Sequence, residues 1–279
     1  KLAVDYHNQA KKYGKGRQAT ETYSLAESAY RMYLAEYPTN AHTYEINYSY
    51  GELLYKLKKF DKAFDQYMLV VKLDPKGQHS KFCAESSIFA ADKMVKAEGG
   101  GKAIKAKPGD SKEPQALTQW EQNLVDACKQ YANLYPEEKK VKNIIYRSAY
   151  LLYNKYRFDE AAEQFNAVIK MDPSSREAET AAHLMLDAFL IKEDWPNLRK
   201  NAKFYYDQEG LGSKKFKGEV YDIYERSSFK IIEVNFAADE DNNKAADAFV
   251  AFYDEFPESD VAAQALNNAS VYYHKVHKV

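Results

Sequence analysis

The sequence predicts an all-α chain, a solenoid of stacked helical hairpins, on three observations: one spacing that recurs, the stop that closes each recurrence, and no strand-like alternation between them. The recurring sets are Ala26, Tyr30, Tyr33 and Pro38; Ala63, Tyr67, Val70 and Pro75; Leu124, Cys128, Tyr131 and Pro136; Ala161, Phe165, Val168 and Pro173; Leu198, Ala202, Tyr205 and Gly210; and Ala245, Phe249, Phe252 and Pro257. Each has the period of a buried helix face and ends in Pro or Gly. Self-similarity on this scale marks a pile of like units in which each contacts only its neighbours.

Segment 44–77 shows how one unit is built. Tyr50, Gly51 and Leu54 fall at helical spacing, and Gly51 offers a place where a second helix can come close. Lys58 and Lys59 break the pattern before Phe60 opens a helix whose buried stripe is Ala63, Tyr67 and Val70. Asp74-Pro75 ends it, because proline pushes the preceding residue out of helical geometry and cannot donate the next backbone bond. Segment 142–175 repeats the plan at a constant offset, with Ala149, Leu152, Phe158, Ala161, Phe165, Val168 and Pro173.

These two hairpins resemble tetratricopeptide repeats, whose pattern of about 34 residues has small residues at its eighth and twentieth positions, aromatics between, and Pro near its end. The other sets are degenerate. The resemblance implies a right-handed α-α superhelix: about six hairpins plus a terminal helix, from about 260 to 277, in one continuous solenoid over residues 1–279. The longest interval between sets, from Ala63 to Leu124, contains Gly99, Gly100, Gly101, Pro108, Gly109 and Pro114, which places an inserted loop at about 98–114. A longer connection at about 209–218 precedes a long helix expected from about 219 to 238.

Composition narrows the function. A formal charge of −1 over 279 residues leaves no excess basicity to neutralise a row of phosphates, so nucleic acid is not expected as a partner. No apolar run approaches the ~18 residues of a membrane span. The chain opens on Lys1 and closes on half a hairpin, which reads as a piece of a longer gene product. Cys83 near the start of one helix and Cys128 in the later half of its antiparallel partner fit either a disulfide or two separately buried thiols.

Reaction chemistry finds little support. Gly99-Gly100-Gly101-Lys102 lacks the first glycine, the following Ser or Thr and the preceding strand of a phosphate loop. Asp239, Asp241 and Asn243 open like a calcium loop, but Lys244 and Val250 stand where its glycine and glutamate belong, and these residues suit a helix N-cap instead. His7, His42, His79, His183, His274 and His277 form no zinc spacing, and no nucleophile motif is present. No catalytic residue, metal or cofactor is expected.

The family resemblance implies that the first helix of each pair lines a concave groove. On the two good hairpins its inward positions are Glu45, Tyr48, Ser49, Glu52, Tyr55 and Lys56, then Asn143, Tyr146, Arg147, Tyr150, Tyr153 and Asn154. Tyrosine supplies a broad ring and a hydroxyl at modest entropic cost, which suits peptide or protein recognition, although rings at these positions also serve to pack neighbouring helices. Of the Lys/Asn/Arg clamp by which chaperone-binding relatives hold a terminal carboxylate, Arg147 alone is retained, which disfavours that role. The tails Tyr33–Thr39 and Phe252–Ser259 resemble repeat ends of bacterial envelope proteins of the BamD and Tol-Pal coordinator type. The expected function is a non-catalytic interaction scaffold of a bacterial envelope or motility-type assembly, in the periplasm or cell envelope. The alternative is a cytosolic adaptor or regulator that binds a peptide segment.

Overall fold

A computed structural model describes residues 1–100, 113–236 and 241–276, and among these the backbone forms thirteen helices and no strand. Two compact units divide the chain. The first holds α1 (Leu2–Tyr13), α2 (Arg17–Glu36), α3 (Thr43–Lys56), α4 (Phe60–Leu73), α5 (Ser80–Ala97), α6 (Gln119–Leu134) and α7 (Val141–Tyr153). The second holds α8 (Phe158–Met171), α9 (Arg176–Ile191), α10 (Trp195–Asp207), α11 (Lys214–Phe236), α12 (Asn242–Glu255) and α13 (Ala262–Val276). Within each unit every helix packs on its neighbours in sequence, the contact pattern of a helical repeat.

Local chemistry sets the helix ends. Wherever a recurring set stops at proline, the residue before it is the C-cap: Tyr37, Asp74, Tyr135, Asp172 and Phe256. α6 opens with a capping box in which Thr118 Oγ1 accepts from the Glu121 N–H at 3.3 Å while the Glu121 carboxylate accepts from the Thr118 N–H at 2.9 Å. Ser175, Asp194 and Asp241 cap α9, α10 and α12, so the acidic run before Lys244 does serve as a helix start. α10 is closed by a side chain instead. The Lys217 ammonium donates to the carbonyls of Tyr205, Tyr206 and Gln208 at 2.6, 2.8 and 2.6 Å, satisfying acceptors that the helix end leaves open.

α11 begins at Lys214, earlier than its sequence suggests, because the Ser213 hydroxyl accepts from the Phe216 N–H at 3.1 Å and starts the helix inside the expected connection. Of the expected insert, residues 101–112 lie outside the described residues, as do Asp239 and His277. Glu98 closes α5, and the Gly100 N–H turns back to the Val95 carbonyl at 2.9 Å.

The recurring sets are the core. All their helical members are buried except Tyr33, which is half-exposed and donates to Asn40 Oδ1 at 3.1 Å. The α3–α4 pairing depends on Gly51: a Cβ added there would lie 2.9 Å from both Cδ1 and Cε1 of Tyr67, a ring that is 1% exposed. Cys83 of α5 and Cys128 of α6 are free thiols, both buried. The structure therefore has no disulfide between them; each fills space as a small apolar group, and burial pushes each thiol up to about 12.

His7 on α1 is also buried, with Nδ1 3.2 Å from the Tyr30 hydroxyl and its ring edge-on to Tyr23 and Tyr30. Burial, helped by Lys11, lowers its pKa from 6.5 to about 4. The unfolded chain then binds the extra proton first as pH falls, so this contribution to stability is full above the ordinary value and drains away between about 6.5 and 4.

Three outcomes follow from this packing. Gly51→Val should overpack the Tyr67 contact and cost about 1–3 kcal/mol in a urea melt. The urea midpoint should drop between about pH 7 and pH 5, and His7→Phe should flatten that drop. Native protein should resist a thiol reagent at mild alkaline pH, and both cysteines should react once it is unfolded.

Candidate interaction surfaces

On α3 the predicted positions separate into two groups. Tyr48 lies on the surface between α3 and α5, where its ring stacks on His79 with centroids 3.7 Å apart and planes 4° from parallel. Glu45 secures the same imidazole at 2.9 Å from Nε2 and accepts from Gln78 at 2.8 Å. Lys56 is exposed. The others face neighbouring helices: Tyr55 packs edge-on to Phe60, Glu52 accepts from the Tyr67 hydroxyl at 2.6 Å, and Ser49 sits beside Tyr30 of α2.

On α7 the three tyrosines form a ladder, Tyr146 stacking on Tyr150 at 6.2 Å and Tyr150 on Tyr153 at 6.5 Å. Tyr153 and the C-cap Asn154 are buried, 4% and 6% exposed, so neither presents a surface. Asn143 is exposed. Arg147 is ion-paired with Asp92 of α5, whose other oxygen takes Lys96 at 2.7 Å. Burial opposes the charge on Asp92, but these hydrogen bonds outweigh it and hold the carboxyl below its ordinary range. Arg147 is thus already neutralised, which further separates this face from a carboxylate clamp.

α5 contributes residues that the sequence reading passed over. His42 and His79 are the N-caps of α3 and α5, and the offset between them carries Glu45, Tyr48, Glu52 and Tyr55 onto Phe82, Glu85, Phe89 and Asp92. Phe82 and Phe89 are 45% and 46% exposed, large rings on one helix face. Phe82 stands edge-on to Tyr48. Phe89 lines a cleft of about 430 Å³ with Ile88 and Ile144, bordered by the Lys140–Glu85 ion pair. A smaller cleft of about 180 Å³ continues along α5 and α7 beside Tyr150, and Arg147 borders both. This unit therefore carries the partly exposed rings Tyr48, Phe82, Phe89, Tyr146 and Tyr150 on three of its helices.

The second unit has a different cavity. A cleft of about 710 Å³ opens between α9 and α11 and reaches Trp195 and Leu198 of α10. Shifting Tyr146, Arg147, Tyr150 and Tyr153 by the interval between the fourth and fifth sets lands on His183, Leu184, Asp187 and Leu190, all of which line it. That offset makes these cleft positions legible in the sequence, but no tyrosine marks them.

Among the described residues no group of His, Cys, Asp and Glu side chains is placed to hold a metal ion, and no helix is long and apolar enough to cross a membrane. The described helices and their packing define an all-α helical-repeat protein. Residues 44–76, the α3–α4 hairpin, match the family model of the tetratricopeptide repeat, so the chain carries that repeat, a module that generally mediates protein–protein interaction. No curated protein matches the sequence. Among solved structures, a tetratricopeptide repeat protein from Parabacteroides merdae is similar at 11% identity over 96% of this chain and 99% of that one, with a TM-score of 0.27. At that score the likeness carries no structural weight.

Proposed function

We propose that the protein is a non-catalytic scaffold that docks other proteins or peptides on the inner face of α3, α5 and α7. The observation that carries this reading is the row of partly exposed rings, Tyr48, Phe82, Phe89, Tyr146 and Tyr150, beside clefts that admit apolar side chains. Aromatic anchors in such clefts dominate the energetics of protein interfaces, and two-torsion rings lose little entropy when held. The Arg147–Asp92 pair between the clefts supplies a polar group that fixes orientation rather than affinity.

We place this scaffold in a bacterial cell-envelope or motility-type assembly, on the likeness of its repeat tails at Tyr33–Thr39 and Phe252–Ser259 to envelope repeat proteins. A cytosolic adaptor is the second reading, and free thiols at Cys83 and Cys128 in protein taken directly from cells would favour it, since a reducing compartment keeps cysteines unpaired. Release by osmotic shock from the native host selects the envelope; retention with the cytosolic fraction selects the adaptor.

The docking face is tested by cross-linking and capture in the native host. Replacing Phe89, Tyr146 and Tyr150 together by Ser should lower the yield of captured partner at least about tenfold, with helix content by circular dichroism unchanged. Equal capture by the triple variant would set this face aside.

A further inference from the structure

The cleft between α9 and α11 has a different chemistry from the aromatic face, and its properties point to a ligand rather than a docked protein surface. Its volume of about 710 Å³ lies within the ~300–1,000 Å³ range of small-molecule sites. The wall is aliphatic: Leu184, Leu186 and Leu190 from α9, Leu198 from α10 and Ile223 from α11. Leu186 and Leu198, 2% and 3% exposed, form its floor, and Leu184, Leu190 and Ile223 stand half-buried on its walls.

Ionic groups stand around this cleft, and all but one are engaged. His183 pairs with Glu219 at 3.3 Å, Lys230 with Glu233 at 3.1 Å, and Asp187 has a partner of its own. Arg226 is exposed and makes no ion pair or hydrogen bond among the described residues. On α11 it lies one turn from Lys230 and on the same face as Ile223, so its guanidinium borders the aliphatic wall. The charge on Arg226 is felt by the neighbouring Glu225, but its donors make no hydrogen bond among the described residues, and an apolar slot with such a cation at its edge is complementary to a slender apolar chain that ends in one anion.

We propose that this cleft binds a single-chain anionic amphiphile, a free medium-chain fatty carboxylate, with the chain laid against Leu184, Leu190 and Ile223 and the carboxylate on Arg226. Arginine offers a carboxylate two parallel donors, a geometry that a neutral head group cannot use fully. Burial of the methylenes supplies affinity, and the guanidinium selects the charge. This site is separate from the aromatic docking face, and its failure would leave that reading standing.

Trp195 lines the cleft, and Trp120, the other tryptophan, packs on Phe64 in the first unit. The 279-residue chain carrying Trp120→Phe therefore reports on the cleft through Trp195 alone. Titration with monomeric dodecanoate should change Trp195 emission and saturate at one equivalent. Arg226→Gln, an exposed change that leaves the core intact, should weaken dodecanoate at least about tenfold while dodecan-1-ol binds both proteins alike. A titration that does not saturate overturns the proposal, as does equal dodecanoate affinity in the Arg226→Gln variant. Tighter binding of a leucine-rich acidic peptide than of dodecanoate would overturn it in favour of a peptide site.

Discussion

The architecture depends on how closely the second helix of a hairpin can approach the first. At Gly51 the absent side chain lets the Tyr67 ring lie where a Cβ would be only 2.9 Å away. The ring is fully enclosed, yet its hydroxyl reaches Glu52 at 2.6 Å, so one buried side chain both fills the gap and ties itself to the neighbouring helix. Without that approach the stripe of Ala63 and Val70 would not close over Leu53 and Leu54, all of which are wholly buried. The turn that brings the helices together is constrained too. Lys58, Tyr156 and Glu193 occupy the same place in their repeats, and each has a positive φ, at 60, 57 and 53°. After Lys58 and Glu193 the next N–H reaches back five residues, Lys59 to Leu54 and Asp194 to Phe189, both at 2.9 Å. Left-handed backbone at non-glycine residues is strained, and it persists where hairpin packing over-determines it.

Because hairpin geometry is set by the core, the inner positions of each first helix are free to vary in chemistry. α5 and α7 place Phe82, Phe89, Tyr146 and Tyr150 at these positions; α9 places His183, Leu184, Asp187 and Leu190. One backbone plan thus yields an aromatic face in one unit and an aliphatic slot in the other. The difference decides what each can hold. Rings with polar edges suit the mixed surface of a protein or peptide, as proposed for the first unit, whereas branched aliphatics with Arg226 at their edge suit the amphiphile proposed for the second.

The sequence made the helices and their ends legible because both follow from short-range chemistry: an apolar period, an X-Pro stop, a Ser or Asp start. It made the core legible wherever a set recurred, and missed only Tyr33, whose hydroxyl finds Asn40 beyond the end of α2. The surface was harder to read. Tyr153 and Asn154 occupy groove positions by count but lie in the interior, and Tyr55 turns toward Phe60, since position in a repeat fixes where a Cβ points and not which neighbour covers the ring. Phe82 and Phe89 were missed because the 98–114 insert separates α5 from its partner set, hiding the offset. The α9 slot was missed because leucine at a groove position reads as core. The thiols were ambiguous because helix placement brings Cys83 and Cys128 to one pair of helices without specifying their separation.

Stability in such a stack is a sum over units and their nearest-neighbour interfaces, and that has a consequence for how the two surfaces relate. The aromatic face rests on α3, α5 and α7, whose neighbours are joined by ion pairs such as Lys59–Glu27 at 2.7 Å and Lys81–Glu138 at 2.7 Å. The aliphatic slot rests on α9, α10 and α11, held by the Lys217 cap on α10 and by Arg199, which donates to Ser228 at 2.7 Å across α10 and α11. These supports share no residue. A change that loosens the Gly51–Tyr67 contact acts first on the aromatic face, while the slot keeps its own floor of Leu186 and Leu198. Loss of one activity with retention of the other is therefore evidence about a site, whereas loss of both together is evidence of unfolding.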